Sequence, residues 1–454
     1  MVSVDTFGSK ETLAEASVSE VLAVQELPKL PKDGAYYVFD SIPRSRVTKH
    51  NHGLHKYPAK FIPQIPRWAL QYRNNNNKES VLDPFCGSGT TLVEVGLHGG
   101  CGFGCDISPL AVMITKAKTS TLNLDEAPER IVSSIIANAS ELLDEISNNL
   151  ILDKECLGLH YTWSFWFRKP EMAKLLALRK AIEIRYGDDE PVLANFLLVC
   201  LSSIAKSASY LNEDQIKVRF DHDKKTKDPF ESFFSCATSA IENQIGLNQF
   251  YQSSDTDFSV HLGSAAELAL PSGSIDRVIT SPPYINAIDY TMAHKYNLFV
   301  LGLIQPSQFK GHCRDYIGVT ERAVRASDIK KIPETGIDVI DRQVNLLWGL
   351  DTPVSRNRSF VVCQYFKGMY SAFQEMFRVT RSGGKVIMVV GDSNKICKKK
   401  IETASIIKCL AELSGFETEL CFHHLLANRS SMRLNRSVTG GQVKFETIYV
   451  FHRY

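Results

Sequence analysis

Residues 80–106 read SVLDPFCGSGTTLVEVGLHGGCGFGCD, and this stretch decides the fold. Ser80-Val81-Leu82 is short and apolar, the pattern of a buried strand. The turn that follows carries Gly87 and Gly89, and Thr90 to Leu97 runs at helical spacing. Gly99 and Gly100 stop that helix, since glycine takes the left-handed backbone a helix end requires. Cys101 to Cys105 reads as a second strand closing on Asp106. Strand, glycine turn, helix and strand together open a doubly wound α/β sheet.

The letters of the turn are Asp83-Pro84-Phe85-Cys86-Gly87-Ser88-Gly89-Thr90-Thr91. Two glycines let the backbone pass close to a ligand at the strand end, and the following helix start favours polar or anionic groups. A Walker phosphate loop is excluded, because no lysine follows the second glycine. Asp106 stands 17 residues beyond Gly89 at the end of the next strand, where a carboxylate suits a pair of ribose hydroxyls. A plain tight turn with Asp106 as a helix cap uses the same letters but leaves the placement of the acid without a purpose.

Outward from this unit, residues 1–38 are polar and read as a loose arm. Residues 52–70, HGLHKYPAKFIPQIPRWAL, hold prolines at 58, 63 and 66 and read as an extended segment entering a helix. His52 and His55 there suit the pocket or the core equally. Residues 111–254 turn helical (Ala127–Asn148, Lys169–Tyr186, Val192–Leu211, Phe230–Tyr251), too long for a βα connection and therefore an inserted helical subdomain. Its Trp163, Phe165, Trp166 and Phe167 read as core rather than a stacking platform. The strand pattern resumes at Phe258–Leu262 and Arg277–Thr280, with a helix at Ala287–Leu303. A polar stretch, 305–357, reads as a second insertion. Ser359–Arg378 and Thr403–Ser414 read as helices; Lys385–Val390, Glu417–His423 and Phe445–His452 read as strands. The catalytic domain is thus expected at 39–110 and 255–454.

Thr280-Ser281-Pro282-Pro283-Tyr284 follows the strand at 277 directly. The prolines fix the backbone and carry no N–H, so carbonyl oxygens are free to face outward. Ser281 adds a hydroxyl and Tyr284 an aromatic face. Rigid acceptors beside a flat ring suit an amino group on a planar heterocycle. A proline turn capping a strand explains the tetrad alone, but less well once it is coupled to the glycine turn.

These two motifs resemble those of S-adenosylmethionine-dependent amino-group DNA methyltransferases, and within them the N4-cytosine type. Asp83 to Thr90 is similar to the family's DPFxGxGT cofactor motif, and Ser281 to Tyr284 to its catalytic tetrapeptide, where serine in first place is typical of cytosine-N4 enzymes. Tyr57-Pro58-Ala59-Lys60-Phe61 resembles the segment that packs on the methionine moiety. The resemblance implies a Rossmann-like methyltransferase sheet, mostly parallel with a terminal antiparallel hairpin. It assigns the cofactor to Tyr57, Pro58, Ala59, Lys60, Phe61, Asp83, Pro84, Phe85, Gly87, Gly89, Thr90 and Asp106, and catalysis to Ser281, Pro282, Pro283 and Tyr284. Where many relatives place an acid after the third strand to meet the adenine, this chain has Gly263-Ser264-Ala265, so Ser264 or Glu267 takes that contact.

The implied reaction is direct methyl transfer to the exocyclic N4 of cytosine in duplex DNA. The Ser281 hydroxyl and Pro282 carbonyl would localise the amine lone pair, and Tyr284 would stack on the flipped base. Cys86 is no nucleophile in this chemistry. N6-adenine methylation, RNA guanine-N2 methylation and a catalytically silent binding subunit are the competing readings.

Lys plus Arg total 52 and Asp plus Glu 50, a net charge of +2, so a nucleic-acid surface must be a local patch. Lys395, Lys398, Lys399 and Lys400 form one such run, Arg429, Arg433, Arg436 and Lys444 another, and the 305–357 insertion is a further candidate DNA-contacting region. The 11 cysteines include no CxxC pair, which favours a reducing, cytoplasmic setting without a structural metal. Neither a secretory leader nor a membrane-spanning stretch is read, so the expected partners are double-stranded DNA and, by resemblance, a cognate restriction endonuclease, with no membrane.

Overall fold

The computed structural model of the 454-residue chain describes all residues except 1–20, 40–46, 59–60, 74–77, 153–165, 214–218, 254–255, 286–289, 306–307, 319–323, 392–393 and 427–444. Its strands are β1 (Val21–Val24), β2 (Tyr36–Phe39), β3 (Ser80–Asp83), β4 (Cys101–Asp106), β5 (Phe258–Leu262), β6 (Ile275–Thr280), β7 (Thr380–Gly391), β8 (Asn394–Ile396), β9 (Lys399–Ile401), β10 (Glu417–Leu425) and β11 (Phe445–His452). The helices are α1 (Gln64–Gln71), α2 (Thr90–His98), α3 (Pro109–Thr119), α4 (Pro128–Leu152), α5 (Lys169–Tyr186), α6 (Pro191–Ile204) and α7 (Pro229–Ser253). After β6 come the short α8 (Tyr290–Ala293), α9 (Lys295–Val300) and α10 (Phe309–Asp315), then α11 (Asp338–Trp348), α12 (Pro353–Val379) and α13 (Thr403–Leu413).

Nine strands form one sheet in the order β1-β2-β10-β11-β7-β6-β3-β4-β5, and β8 pairs with β9 as a separate hairpin. Within the large sheet only β11 runs antiparallel to its neighbours, β7 and β10. This is the expected Rossmann-like methyltransferase sheet, with its antiparallel strand at the chain end. From β3 the chain steps outward through β4 to β5, then returns to β6 on the other side of β3. Loops leaving β3 and β6 therefore diverge, and a crevice opens at the carboxyl ends of these two parallel strands.

The sheet is covered on both faces, as a parallel sheet must be. Along β7, Val386, Met388 and Val390 join the core formed with Phe366, Phe373 and Met376 of α12. Ile387 and Val389, between them in sequence, join Ile65 and Trp68 of α1 on the opposite face. The period of two along a strand produces both cores from five consecutive residues. Beside the sheet, α4 to α7 share their own apolar core, which includes Trp166 and Phe167 as expected. Trp163 and Phe165 lie outside the described residues. Gln244 of α7 donates to the carbonyls of Lys118 and Ser120, and Asn248 to that of Leu122, which pins the block to the end of α3.

Four expectations are corrected. Within the supposed loose arm, β1 and β2 extend the sheet, and β2 pairs with β10 through Tyr36 and Tyr37. Tyr37 is buried and meets Phe422 edge to face at 5.6 Å. Two four-residue strands in a polar setting give too little periodicity to stand out. The polar stretch 305–357 contains α11, whose Ile340, Val344 and Leu347 enter the α12 core, so it is partly core rather than surface loop. The helix expected at 287–303 is interrupted, with His294 between α8 and α9. Finally, β7 begins at Thr380, straight after α12, rather than at Lys385, and takes in Ser382-Gly383-Gly384.

Candidate active site

The turn after β3 has the backbone its glycines predict. Gly87 and Gly89 both have positive φ, 52° and 74°. A Cβ at Gly89 would stand 3.0 Å from the Thr115 side chain of α3, so both conformation and space exclude a larger residue. At Gly87 a Cβ would meet the Tyr57 ring at 3.3 Å. The chain thus turns tightly over α3 while Tyr57 closes over it.

Asp83 couples the two motifs. Its carboxylate accepts from the Phe85 amide (3.1 Å) and the hydroxyls of Thr280 (2.6 Å) and Thr91 (2.7 Å). Thr280 immediately precedes Ser281, so one buried side chain holds the end of β3, the first turn of α2 and the end of β6. Burial pushes its pKa up to about 6 against these hydrogen bonds, which favour the charged form. Asp83 is spent on internal bonds and acts by holding the loops.

Asp106, at the end of β4, accepts from the Gly87 amide at 2.9 Å and the Ser108 amide at 2.8 Å. The cap of α3 is Ser108, which accepts from Ala111, so the helix-cap reading of Asp106 falls away. A carboxylate has about four acceptor positions, so it retains capacity for ligand hydroxyls. Burial raises its pKa to about 6 as well.

Between these loops lies a cleft of about 790 Å³, open to solvent on one side. The glycine turn, Tyr57, Pro58, Phe61 and Asp106 line it, and so do Ser281 and Pro283 of the tetrad. The two motifs therefore share one cavity. Ser264 reaches it too, whereas Glu267 is exposed and is not part of the wall. Two hydroxyls of the glycine turn, Ser88 Oγ and Thr90 Oγ1, are buried without a hydrogen-bond partner among the described residues, while the Ser281 hydroxyl lies within hydrogen-bonding reach of the Tyr284 phenol. Buried polar atoms are normally satisfied, so the two orphans on the glycine turn leave a place for a polar partner there.

Other expected residues fall elsewhere. Tyr284 is buried beside the cleft instead of lining it, and Pro282 is likewise enclosed. The Tyr284 phenol donates to Glu446 of β11 at 2.5 Å, and burial together with that carboxylate raises its pKa far above the usual range. Its ring lies along β7, 3.3 Å from where a Cβ on Gly391 would stand. His52 pairs with Glu94 and His55 with Ser202, so both serve the core. Burial pushes the Cys86 thiol well above its ordinary pKa, as a non-nucleophilic cysteine requires. Ala59, Lys60 and the run from Arg429 to Lys444 lie outside the described residues.

Sequence reasoning missed Tyr290, Ile107, Asp315, Tyr316 and Ile317, all on the cleft wall. Tyr316 donates to or accepts from His312 Nε2 at 3.1 Å. Tyr57 stacks on His294 at 4.6 Å, and burial pushes the His294 pKa down to about 4, keeping that imidazole neutral. Only the position of Tyr290 six residues past Tyr284 gave any signal for it. Asp315, Tyr316 and Ile317 needed the fold to bring the end of α10 to the cleft.

Among the described residues no cluster of His, Cys, Asp or Glu is arranged to hold a metal ion, and no helix is long and apolar enough to cross a membrane. Sheet order and cleft together define a doubly wound, Rossmann-like α/β protein with a ligand cleft at its switch point. No family model matches the chain. It is 26% identical over 254 residues to Type II methyltransferase M.MvaI of Kocuria varians, covering 51% of this chain and 53% of that protein. Against Type II methyltransferase M.MjaII of Methanocaldococcus jannaschii, identity is 36% over 112 residues, 25% of this chain and 20% of the relative. Against Type II methyltransferase M.BsoBI of Geobacillus stearothermophilus, it is 23% over 415 residues, 81% of this chain and 78% of the relative. The chain spans about half the length of the first of these relatives and a fifth of the second.

Proposed function

We propose that the chain is a site-specific DNA methyltransferase that moves a methyl group from S-adenosylmethionine to the exocyclic N4 of cytosine in duplex DNA, in a restriction-modification setting. The observation that carries this reading is the single cleft lined by both the glycine turn and the serine of the tetrad. Its similarity to Type II methyltransferases supports the same class.

In this reading Asp106 accepts from the ribose hydroxyls, the Gly87–Thr90 backbone and Tyr57 surround the methionine end, and Ser264 stands nearest the adenine. S-adenosylmethionine supplies a methyl group made electrophilic by its sulfonium. The chain's own contribution is to make the amine a better nucleophile. Its lone pair is delocalised into the ring, and acceptance of its protons by the Ser281 hydroxyl and Pro282 carbonyl returns density to nitrogen. The same acceptors stabilise the positive charge that grows there during transfer. The target base leaves the stack to reach Ser281 inside the cleft. Asp83, through Thr280, keeps donor and acceptor loops in register, which is the orientation part of the acceleration.

Incubation of the purified chain with methyl-labelled S-adenosylmethionine and unmethylated plasmid, followed by digestion to nucleosides, tests the proposal. Label in N4-methylcytosine is the expected result. Label in N6-methyladenine, label in RNA alone, or cofactor binding without transfer would each replace it with one of the competing readings.

A further inference from the structure

We propose, building on the reading above, that the β8–β9 hairpin is a phosphate-gripping arm that holds the DNA backbone beside the cleft through Lys395, Lys398, Lys399 and Lys400. The whole chain carries a net charge of only +2, yet four lysines fall within the six residues from Lys395 to Lys400, and all four are exposed. A lone lysine at a sheet edge deters pairing with another chain; four in one hairpin exceed that need. Among the described residues Lys395, Lys398 and Lys399 form no ion pair. Lys400 stands 3.6 Å from Glu402, a pairing between two exposed side chains that leaves most of the charge to solvent.

The fold puts this charge at the right edge of the sheet. Because β7 runs parallel to β6, both end on the side where the cleft opens, and Gly391 at the end of β7 lies against the tetrad residue Tyr284. Lys395 follows four residues later, a span of no more than about 14 Å. Duplex DNA carries a negative charge about every 1.7 Å along its axis, so a duplex that delivers a base to the cleft brings several phosphates within reach. The arm is also firmly seated, since Ile396 and Ile401 are fully buried in the core that α11 and α12 share.

Two local conflicts show that the hairpin is not arranged for its own stability. Lys395 pairs directly with Lys400, on the face away from the two isoleucines, and like charges opposed across strands repel. Ile396 pairs with Lys399, so Cys397 and Lys398 form the two-residue turn, and both have positive φ, 49° and 64°. Such a turn favours Asn-Gly, and a residue with a Cβ is strained in that backbone. A polyanion laid across the hairpin relieves the repulsion, and the strained turn keeps Lys398 at the tip. Local rules are broken in this way where function uses the result.

The test combines Lys395→Gln, Lys398→Gln and Lys399→Gln in the full chain. Binding of a fluorescein-labelled duplex of arbitrary sequence, with S-adenosylhomocysteine present, is read by anisotropy between about 50 and 200 mM salt. The slope of log affinity against log salt is expected to become shallower by about 2 to 3, with affinity at the low end down roughly tenfold or more. The same three positions changed to Arg keep the charge and are expected to keep the slope. Affinity for S-adenosylhomocysteine by calorimetry is expected to match wild type. Without DNA the Gln variant is expected to unfold at or above the wild-type temperature, because the opposed charges are gone. A Gln variant with wild-type slope and affinity, an Arg variant as weak as the Gln one, or a Gln variant that unfolds below wild type would each overturn the inference. Plasmid methylation by the wild-type chain is scored separately, and its absence would remove the parent reading, and this inference with it.

Discussion

The two walls of the cleft are built from motifs of similar length, yet they relate to their sequences differently. On the glycine wall nearly every letter does what it promises: Gly87 and Gly89 take positive φ, Asp106 turns back onto the loop, and Tyr57 covers it. On the tetrad wall the loop is where it should be, but the Tyr284 phenol is tied to Glu446, and Tyr290 and residues at the end of α10 join Ser281 on the cleft wall. Backbone-driven motifs are legible because conformation is local. The direction of a side chain is set by partners far away in the sequence, here Glu446, 162 residues on.

The sharpest way to break the comparison is at Ser281. Ser281→Ala should cut turnover roughly a hundred- to a thousandfold while cofactor affinity stays within about twofold, measured by single-turnover kinetics and calorimetry. Turnover unchanged in that variant would remove the serine from the mechanism and weaken the division into a binding wall and a reacting wall.

Gly89→Ala probes the other side. The left-handed backbone costs about 1–2 kcal/mol for a residue with a Cβ, and the contact with Thr115 adds to it. Cofactor affinity should fall at least about tenfold, with kcat at saturating cofactor less affected. Equal losses in both would mean that the turn also positions the methyl acceptor.

The acid dependence of cofactor binding is expected to be smaller. Asp106 must be ionised to accept from two hydroxyls, and its pKa in the free protein is about 6. Affinity should be level above that pH and fall by up to about tenfold per unit below it, and Asp106→Asn should be weak at every pH. For stability the sign is opposite. Because the folded pKa is raised, the contribution of this carboxylate is fully present below its ordinary pKa near 4 and is lost as pH rises through about 6. Calorimetric titrations between pH 5 and 8 read the binding term, and a flat profile would deny Asp106 its contact. Smallest of all, Ser264→Ala should weaken cofactor binding a few-fold and Glu267→Gln not at all, since only the serine lies on the wall. An effect confined to Glu267→Gln would reverse that choice.

The β-α-β opening, the two motifs and the central strands were legible because each rests on short-range rules: strand alternation, glycine backbone freedom and proline's missing donor. The arm strands β1 and β2 were not, since four-residue strands gain their stability from β10, found nearly 400 residues later, and not from their own pattern. The helix α11 was hidden by its polar majority, though Ile340, Val344 and Leu347 lie on one face at helical spacing.

By itself the sequence determined which residues turn, which strands are buried and which chemistry the two loops are able to support. Tertiary structure alone decided that the loops meet, because only the crossover from β5 back to β6 sets Thr280 against Asp83. It also decided that the Tyr284 phenol meets Glu446. A hydrogen bond between residues far apart in the chain forms only once the strands that carry them are paired, and no local preference encodes it.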